Sequence, residues 1–166
     1  MIRNVLTIAG SDPSGGAGIQ ADLKSFAANG VYGMAALTAL TAQNTQGVSR
    51  VEVLPAPFVK AQIDSVFADI RVDAIKIGMI ATAQIALAVA EALSEHTDIP
   101  IVLDPVMVAK GGASLLQEDA IEVLRTALVP LAKLANSNTP MGPFQTTVLL
   151  ILTASANAAA DSGHTS

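Results

Sequence analysis

The chain has 166 residues, 51% of them apolar and 14% charged, with a formal net charge of −5, a pI near 4.8 and a mean hydropathy of +0.52. That size is one domain or part of a larger one, and so apolar a chain needs both faces of a sheet covered or a further piece of protein to cover them. The acidic balance, the lack of a basic stripe and an aromatic content of 3% argue against nucleic acid as a partner, and the absence of cysteine excludes disulfides, thiolate metal sites and a cysteine nucleophile from these residues.

Val5 to Ala9 is a continuous apolar run closed by Gly10, the pattern of a buried parallel strand. The loop Gly10–Gly18 follows. Ile19 to Asn29 has helical spacing, with Ile19, Leu23 and Phe26 on one face and Gly30 as its stop. Met34 to Leu40 reads as a second strand, with the polar run Thr41 to Thr45 just beyond it. Val48 to Leu54 reads as a short strand. Pro57 to Asp69 reads as a helix with proline in its first turn. Ala74 to Met79 is a strand ending in a glycine turn. Thr82 caps a helix expected to run to about His96. Ile101 to Val106 is a strand carrying Asp104, and Glu118 to Leu128 is a helix. This alternation predicts an α/β fold with a doubly wound, mostly parallel sheet. From about Ala135 the pattern breaks, and disorder is expected after Leu152. The expected division is 1–134 for the folded part and 135–166 for a divergent tail.

Several positions carry chemistry. Glycines between a strand and a helix let backbone N–H groups approach an anion, so the Gly10–Gly18 loop is a candidate ligand loop. It fits neither the Walker A spacing nor a dinucleotide fingerprint in its proper place. Two readings of Asp22 stand together: a ligand contact, or a carboxylate stabilised by the helix N-terminus. Gln43 and Asn44 carry amides that read a heterocycle edge or simply make a polar turn. Asp104, before Pro105, suits Mg2+ or a turn. Lys110-Gly111-Gly112 fits a second anion-facing loop or an ordinary turn. Met34, Met79 and Met107 read as core. His96 and His164 have no partners at metal-ligand spacing and read as surface residues. No segment reaches the ~18 apolar residues of a membrane span, and no signal-peptide core is visible, so a cytoplasmic location is expected.

The segments LTIAGSDPSGGAGIQADLKSF, TALTAQNTQGV, AQIDSVFADIRVDAIKIGM and IVLDPVMVAKGG, in this order and spacing, resemble the hydroxymethylpyrimidine/phosphomethylpyrimidine kinases of thiamine synthesis, which have the ribokinase-like fold. The likeness runs from about Ile2 to Leu134. Pyridoxal kinases share the fold, but AGSDPSGGAGIQAD is more similar to the pyrimidine enzymes. The resemblance implies ATP-dependent phosphorylation of a pyrimidine alcohol and then of its monophosphate, with Mg2+. It implies that Gln43 hydrogen-bonds the aminopyrimidine, that Asp22 lies in the same pocket, and that Met79 and Val106 give apolar walls. Gly10 and its loop would shape the substrate side, and Asp104 would lie near the transferred phosphate and metal. The family's later Gly-Thr-Gly-Cys segment and adenine site have no counterpart here, and Asn136-Ser137-Asn138-Thr139-Pro140-Met141 replaces its Thr-Pro-Asn stretch. The expectation is therefore a ribokinase-like sheet without its C-terminal half, truncated or frameshifted. Three functions compete: a kinase, a pyrimidine-binding half-domain without turnover, and an inert fragment. An exposed sheet edge would favour homo-oligomers or aggregation.

Overall fold

Short runs of Val, Ile, Leu and Ala bounded by turn residues form parallel strands, because such strands are buried on both faces and need no polar side. The computed structural model describes residues 2–105 and 118–135. In chain order these are β1 (Asn4–Ala9), α1 (Gly18–Ala28), β2 (Tyr32–Leu37), β3 (Ala39–Gln43), β4 (Val48–Val53), α2 (Ala56–Phe67), β5 (Ala74–Ile77), α3 (Ala83–Leu93), β6 (Ile101–Leu103), α4 (Glu118–Val123) and β7 (Leu134–Ala135). The tail beyond residue 135, with its expected disorder, and the Lys110-Gly111-Gly112 loop lie outside the described residues, as do Val106 and Met107.

Five strands form one sheet in the order β2-β1-β5-β6-β7, and every pairing within it is parallel. The expected doubly wound α/β architecture is present. Alternation along each strand splits the core in two. Leu6, Ile8, Ile75, Ile77, Ile101 and Leu103 pack with Val59 and Ile63 of α2, Ile85 and Val89 of α3, and Leu124 and Leu128. Val5, Ala74 and Val102 face the other way, toward Phe26 of α1. Helices thus cover both faces, and each fully buried Leu or Ile contributes roughly 1.5–3 kcal/mol.

The apolar run Met34–Leu40, read from sequence as one strand, is two. It breaks at Thr38, which is fully buried. The Thr38 N–H donates to the Ala9 carbonyl, its carbonyl accepts from the Leu54 N–H, and its hydroxyl donates to the Met79 carbonyl at 2.7 Å. Those bonds turn the chain out of the main sheet. β3 and β4 then pair antiparallel as a separate hairpin, with a register shift between Ala42 and Gln43. Gln43 is the last residue of β3, where the sequence reading put it beyond a strand.

Other ends move by a few residues. Thr82 caps α3 as expected, accepting from the Ile85 N–H, but α3 ends at Leu93. His96 lies past its end and stacks on Phe67, ring centroids 3.8 Å apart and 6° from parallel. β6 stops at Leu103, so Asp104 is the first residue beyond it. The expected Glu118–Leu128 helix is regular only to Val123 and continues as a π-helical turn over Leu124–Leu128. Among the described residues no helix is long and apolar enough to cross a membrane.

Candidate active site

The strand order fixes where a ligand can sit. From β1 the chain moves outward to β2, then returns through the hairpin and α2 to β5 on the other side of β1. The switch point is therefore between β1 and β5, and open parallel sheets bind ligands beyond the carboxyl ends of the strands there. Gly10 follows β1 and Gly78-Met79 follows β5. A Cβ added at Gly10 would stand 3.0 Å from the Met79 sulfur. Met79 is buried with Ala39 and Ala81. Ala81 has φ +71°, and the Thr82 N–H donates back to the Ile80 carbonyl. That is a tight three-residue turn with positive φ at its centre, a strained form for a residue other than glycine.

The Gly10–Gly18 loop is closed on an anion of its own. Asp12 is buried. One oxygen of its carboxylate accepts from the Ser14 N–H and hydroxyl, and the other from the N–H groups of Gly16 and Ala17, at 2.7–3.0 Å. The Asp12 N–H donates to Gln20, Gly15 donates to the Asp12 carbonyl and Ser11 to the Ala39 carbonyl. Every backbone N–H from Ser11 to Ala17 that exists thus has an internal acceptor. In the place that the cradle reading gives to a ligand's anion, the structure has a side chain of the loop itself, just ahead of α1. Burial pushes the Asp12 carboxyl up, but the hydroxyl and amide of Ser14 with the amides of Ala17 and Gly16 outweigh it, and its pKa lies below the ordinary value. Gly18 has φ +54°, and a Cβ there would strike the Gly10 carbonyl, so the loop closes only with glycine at its end.

Asp22 lies on the buried face of α1. Its Oδ2 accepts from the Thr7 hydroxyl at 2.6 Å, and the Lys76 ammonium reaches Oδ2 at 2.9 Å and Oδ1 at 3.1 Å. The helix-N-terminus reading of Asp22 gives way to this ion pair. Thr7 and Lys76 are register partners on adjacent strands and face α1. Neither was singled out from sequence. The signal was available: a lysine inside the apolar strand Ala74–Ile77 must find a partner when buried.

Gln43 stands at the far end of β3, about 13 Å of strand beyond Ala39. β3 is sewn to the first loop: the Thr41 N–H donates to the Ser11 hydroxyl and the Thr41 hydroxyl to the Ser11 carbonyl. Gln43, Asn44, Gly47 and Ser49 line an open concavity of about 590 Å3 with Pro13. No described residue hydrogen-bonds the Gln43 amide. Asp104 follows β6 and donates its N–H to the Ile77 carbonyl at 2.8 Å. The structure thus sets Gly10 and Met79 at the switch point with Asp22 bonded to Lys76 beside it, sets Asp104 just beyond the end of the next strand, and holds Gln43 on the hairpin next to the loop.

A model of the phosphomethylpyrimidine kinase family matches residues 12–145. The chain belongs to the phosphomethylpyrimidine kinase family. It is 56% identical over 137 residues to a hydroxymethylpyrimidine/phosphomethylpyrimidine kinase of Salmonella typhimurium, covering 82% of this chain and 52% of that protein. The Escherichia coli kinase of the same name is 54% identical over the same shares. The chain therefore spans about half the length of these curated relatives. Among solved structures, a phosphomethylpyrimidine kinase from Clostridium difficile superimposes with a TM-score of 0.77 at 43% identity, covering 94% of this chain and 71% of that one. An ADP complex of Bacillus subtilis pyridoxal kinase gives 0.71 at 41% identity, with 81% and 51% covered. The family match ends at residue 145, past the boundary at 134 expected from sequence.

Proposed function

We propose that this chain carries the substrate side of a kinase that phosphorylates 4-amino-5-hydroxymethyl-2-methylpyrimidine and then its monophosphate, with ATP and Mg2+, in thiamine synthesis in the cytoplasm. One observation carries the reading: the segments that mark the family are those that build the switch-point crevice. The first supplies Gly10 and Asp22, and the third supplies Gly78 and Met79. Asp22 accepts a hydrogen bond from the pyrimidine, Gly10 lets the ring approach the sheet end, and Met79 and Val106 flank it. Gln43 offers donor and acceptor to the heterocycle's edge from the hairpin.

Phosphoryl transfer asks a protein for positioning and for stabilisation of charge rather than for covalent chemistry. The Asp104 carboxylate fits one coordination position of Mg2+, which takes one or two carboxylates together with substrate phosphates. When bound, the metal supplies neutralisation of the phosphate charge. The Gly10–Gly18 loop serves the pyrimidine side, because its amides are already satisfied by Asp12. The N–H groups that face the transferred phosphate, and the adenine site, belong to the family's Gly-Thr-Gly-Cys half, which these 166 residues do not contain. A polypeptide of these residues alone therefore binds the pyrimidine and does not turn over. Self-association belongs to the same proposal, with β2 at the sheet edge as the contact; there Gln62 already covers one stretch by bonding both backbone groups of Leu37.

A pyridoxal kinase is the second reading, favoured by the likeness to pyridoxal kinases. Calorimetry with the pyrimidine alcohol and, separately, with pyridoxal tests both. Saturable binding of the pyrimidine and weak binding of pyridoxal is expected; the reverse order rejects the pyrimidine assignment. A coupled assay of ATP consumption is expected to stay at background, and turnover would overturn the binding-only reading.

A further inference from the structure

We propose that Lys76 is a positioning residue for pyrimidine binding, holding the Asp22 carboxylate in one orientation toward the end of the sheet. This rests on the reading of Asp22 as part of the pyrimidine site. The Lys76 and Asp22 side chains are 8% and 5% exposed. Taking both charges out of water costs several kcal/mol per ion, and an apolar pair of the same volume is often as stable or more so. Stability alone thus gives no reason for a lysine between Ile75 and Ile77.

Position gives one. A Cβ on Gly78 would lie 2.9 Å from the Lys76 nitrogen and 3.0 Å from the Ala9 Cβ. The lysine side chain therefore runs along the sheet into the space that Gly78 leaves, and its ammonium sits level with the residue that follows β5. The ammonium end of the ion pair thus lies toward the carboxyl end of the sheet, beside Gly78. Thr7 and Lys76 together fix the carboxylate rotamer. Oδ2 takes two donors, whereas among the described residues Oδ1 takes only the longer bond from Lys76, so Oδ1 retains acceptor capacity. An aminopyrimidine presents N–H donors, which a carboxylate oxygen with a free lone pair accepts. Without the ammonium, the carboxylate loses two of its three hydrogen bonds and is held by the Thr7 hydroxyl alone among the described residues.

The test uses the full chain, with 4-amino-5-hydroxymethyl-2-methylpyrimidine in the calorimeter and thermal melts run alongside. Lys76→Met is expected to weaken binding about tenfold or more, the equivalent of one hydrogen bond to a charged group. The chain has no cysteine, so Lys76→Cys offers a single thiol that can be alkylated in denaturant before refolding. A bromoethylamine adduct restores an ammonium at the same reach and is expected to recover affinity to within about threefold of the parent; the neutral bromoethanol adduct is expected to stay weak although folded. Parent-like affinity in Lys76→Met or in the neutral adduct overturns the proposal. If Lys76→Met fails to fold, the two adducts decide, and a difference between them in folding rather than in affinity overturns it as well. Asp22→Asn separates the two readings. Parent-like binding there removes Asp22 from the pyrimidine site; lost binding there with intact binding in Lys76→Met removes only the role of Lys76.

Discussion

At Asp12 one carboxylate replaces the ligand that the glycine-rich loop invites. Asp12→Ala leaves the partly exposed amides of Ser14, Gly16 and Ala17 without their acceptor, and each lost hydrogen bond costs about 0.5–1.5 kcal/mol. Urea unfolding is expected to show that loss at neutral pH. The sign of the pH effect follows from the lowered pKa. The stabilisation is fully present above the unfolded value of about 3.9 and is lost as pH falls through the lower folded value. The stability gap between parent and Asp12→Asn should therefore be widest at neutral pH and close in acid below the carboxylate range. A gap independent of pH would contradict it. Sequence showed a loop rich in glycine with an acid inside it, but not that the acid turns inward; that depends on the Ser11–Thr41 stitching, a contact 30 residues long in sequence. Asp22 was legible as a site candidate, and a lysine inside the apolar run 74–77 signalled a buried partner, but the pairing of the two was not legible because it needs β1, β5 and α1 in register.

At the scale of elements, the parallel strands were legible because each is a short apolar run with a turn residue after it, and the α3 start was legible because Thr82 is a capping residue. Thr82→Ala is expected to cost about 0.5–2 kcal/mol in unfolding free energy. The split between β2 and β3 was hidden, since Met34–Leu40 is apolar throughout and the break comes from three long-range hydrogen bonds at Thr38. Thr38→Val keeps the shape but removes the donor to the Met79 carbonyl. It is expected to cost about 1–3 kcal/mol and to loosen the Met79 turn, seen as faster amide exchange around Ile80–Thr82. Unchanged exchange would show that the turn does not depend on Thr38. In the core, Ile75→Ala is expected to cost about 2–5 kcal/mol, since Ile75 is fully buried between α2 and α3.

Across the whole molecule, the doubly wound order places the switch point at β1 and β5 without reference to any relative, and the family match over residues 12–145 takes in α1 and β5 beside it. The chain covers about half of each of two curated kinases, and in the proposed function it binds without turnover. In the proposed reading the described part would hold pyrimidine-facing groups, and the phosphate-facing groups would come from the family's Gly-Thr-Gly-Cys segment, which is not among these 166 residues. The most direct test of this account is calorimetric titration of the chain with 4-amino-5-hydroxymethyl-2-methylpyrimidine, repeated on Asp22→Asn and Gln43→Ala. Saturable one-site binding by the parent, abolished in Asp22→Asn and weakened about tenfold in Gln43→Ala by the loss of paired hydrogen bonds, is the predicted result. A folded parent that gives no binding heat, or equal affinity in all three proteins, would contradict it.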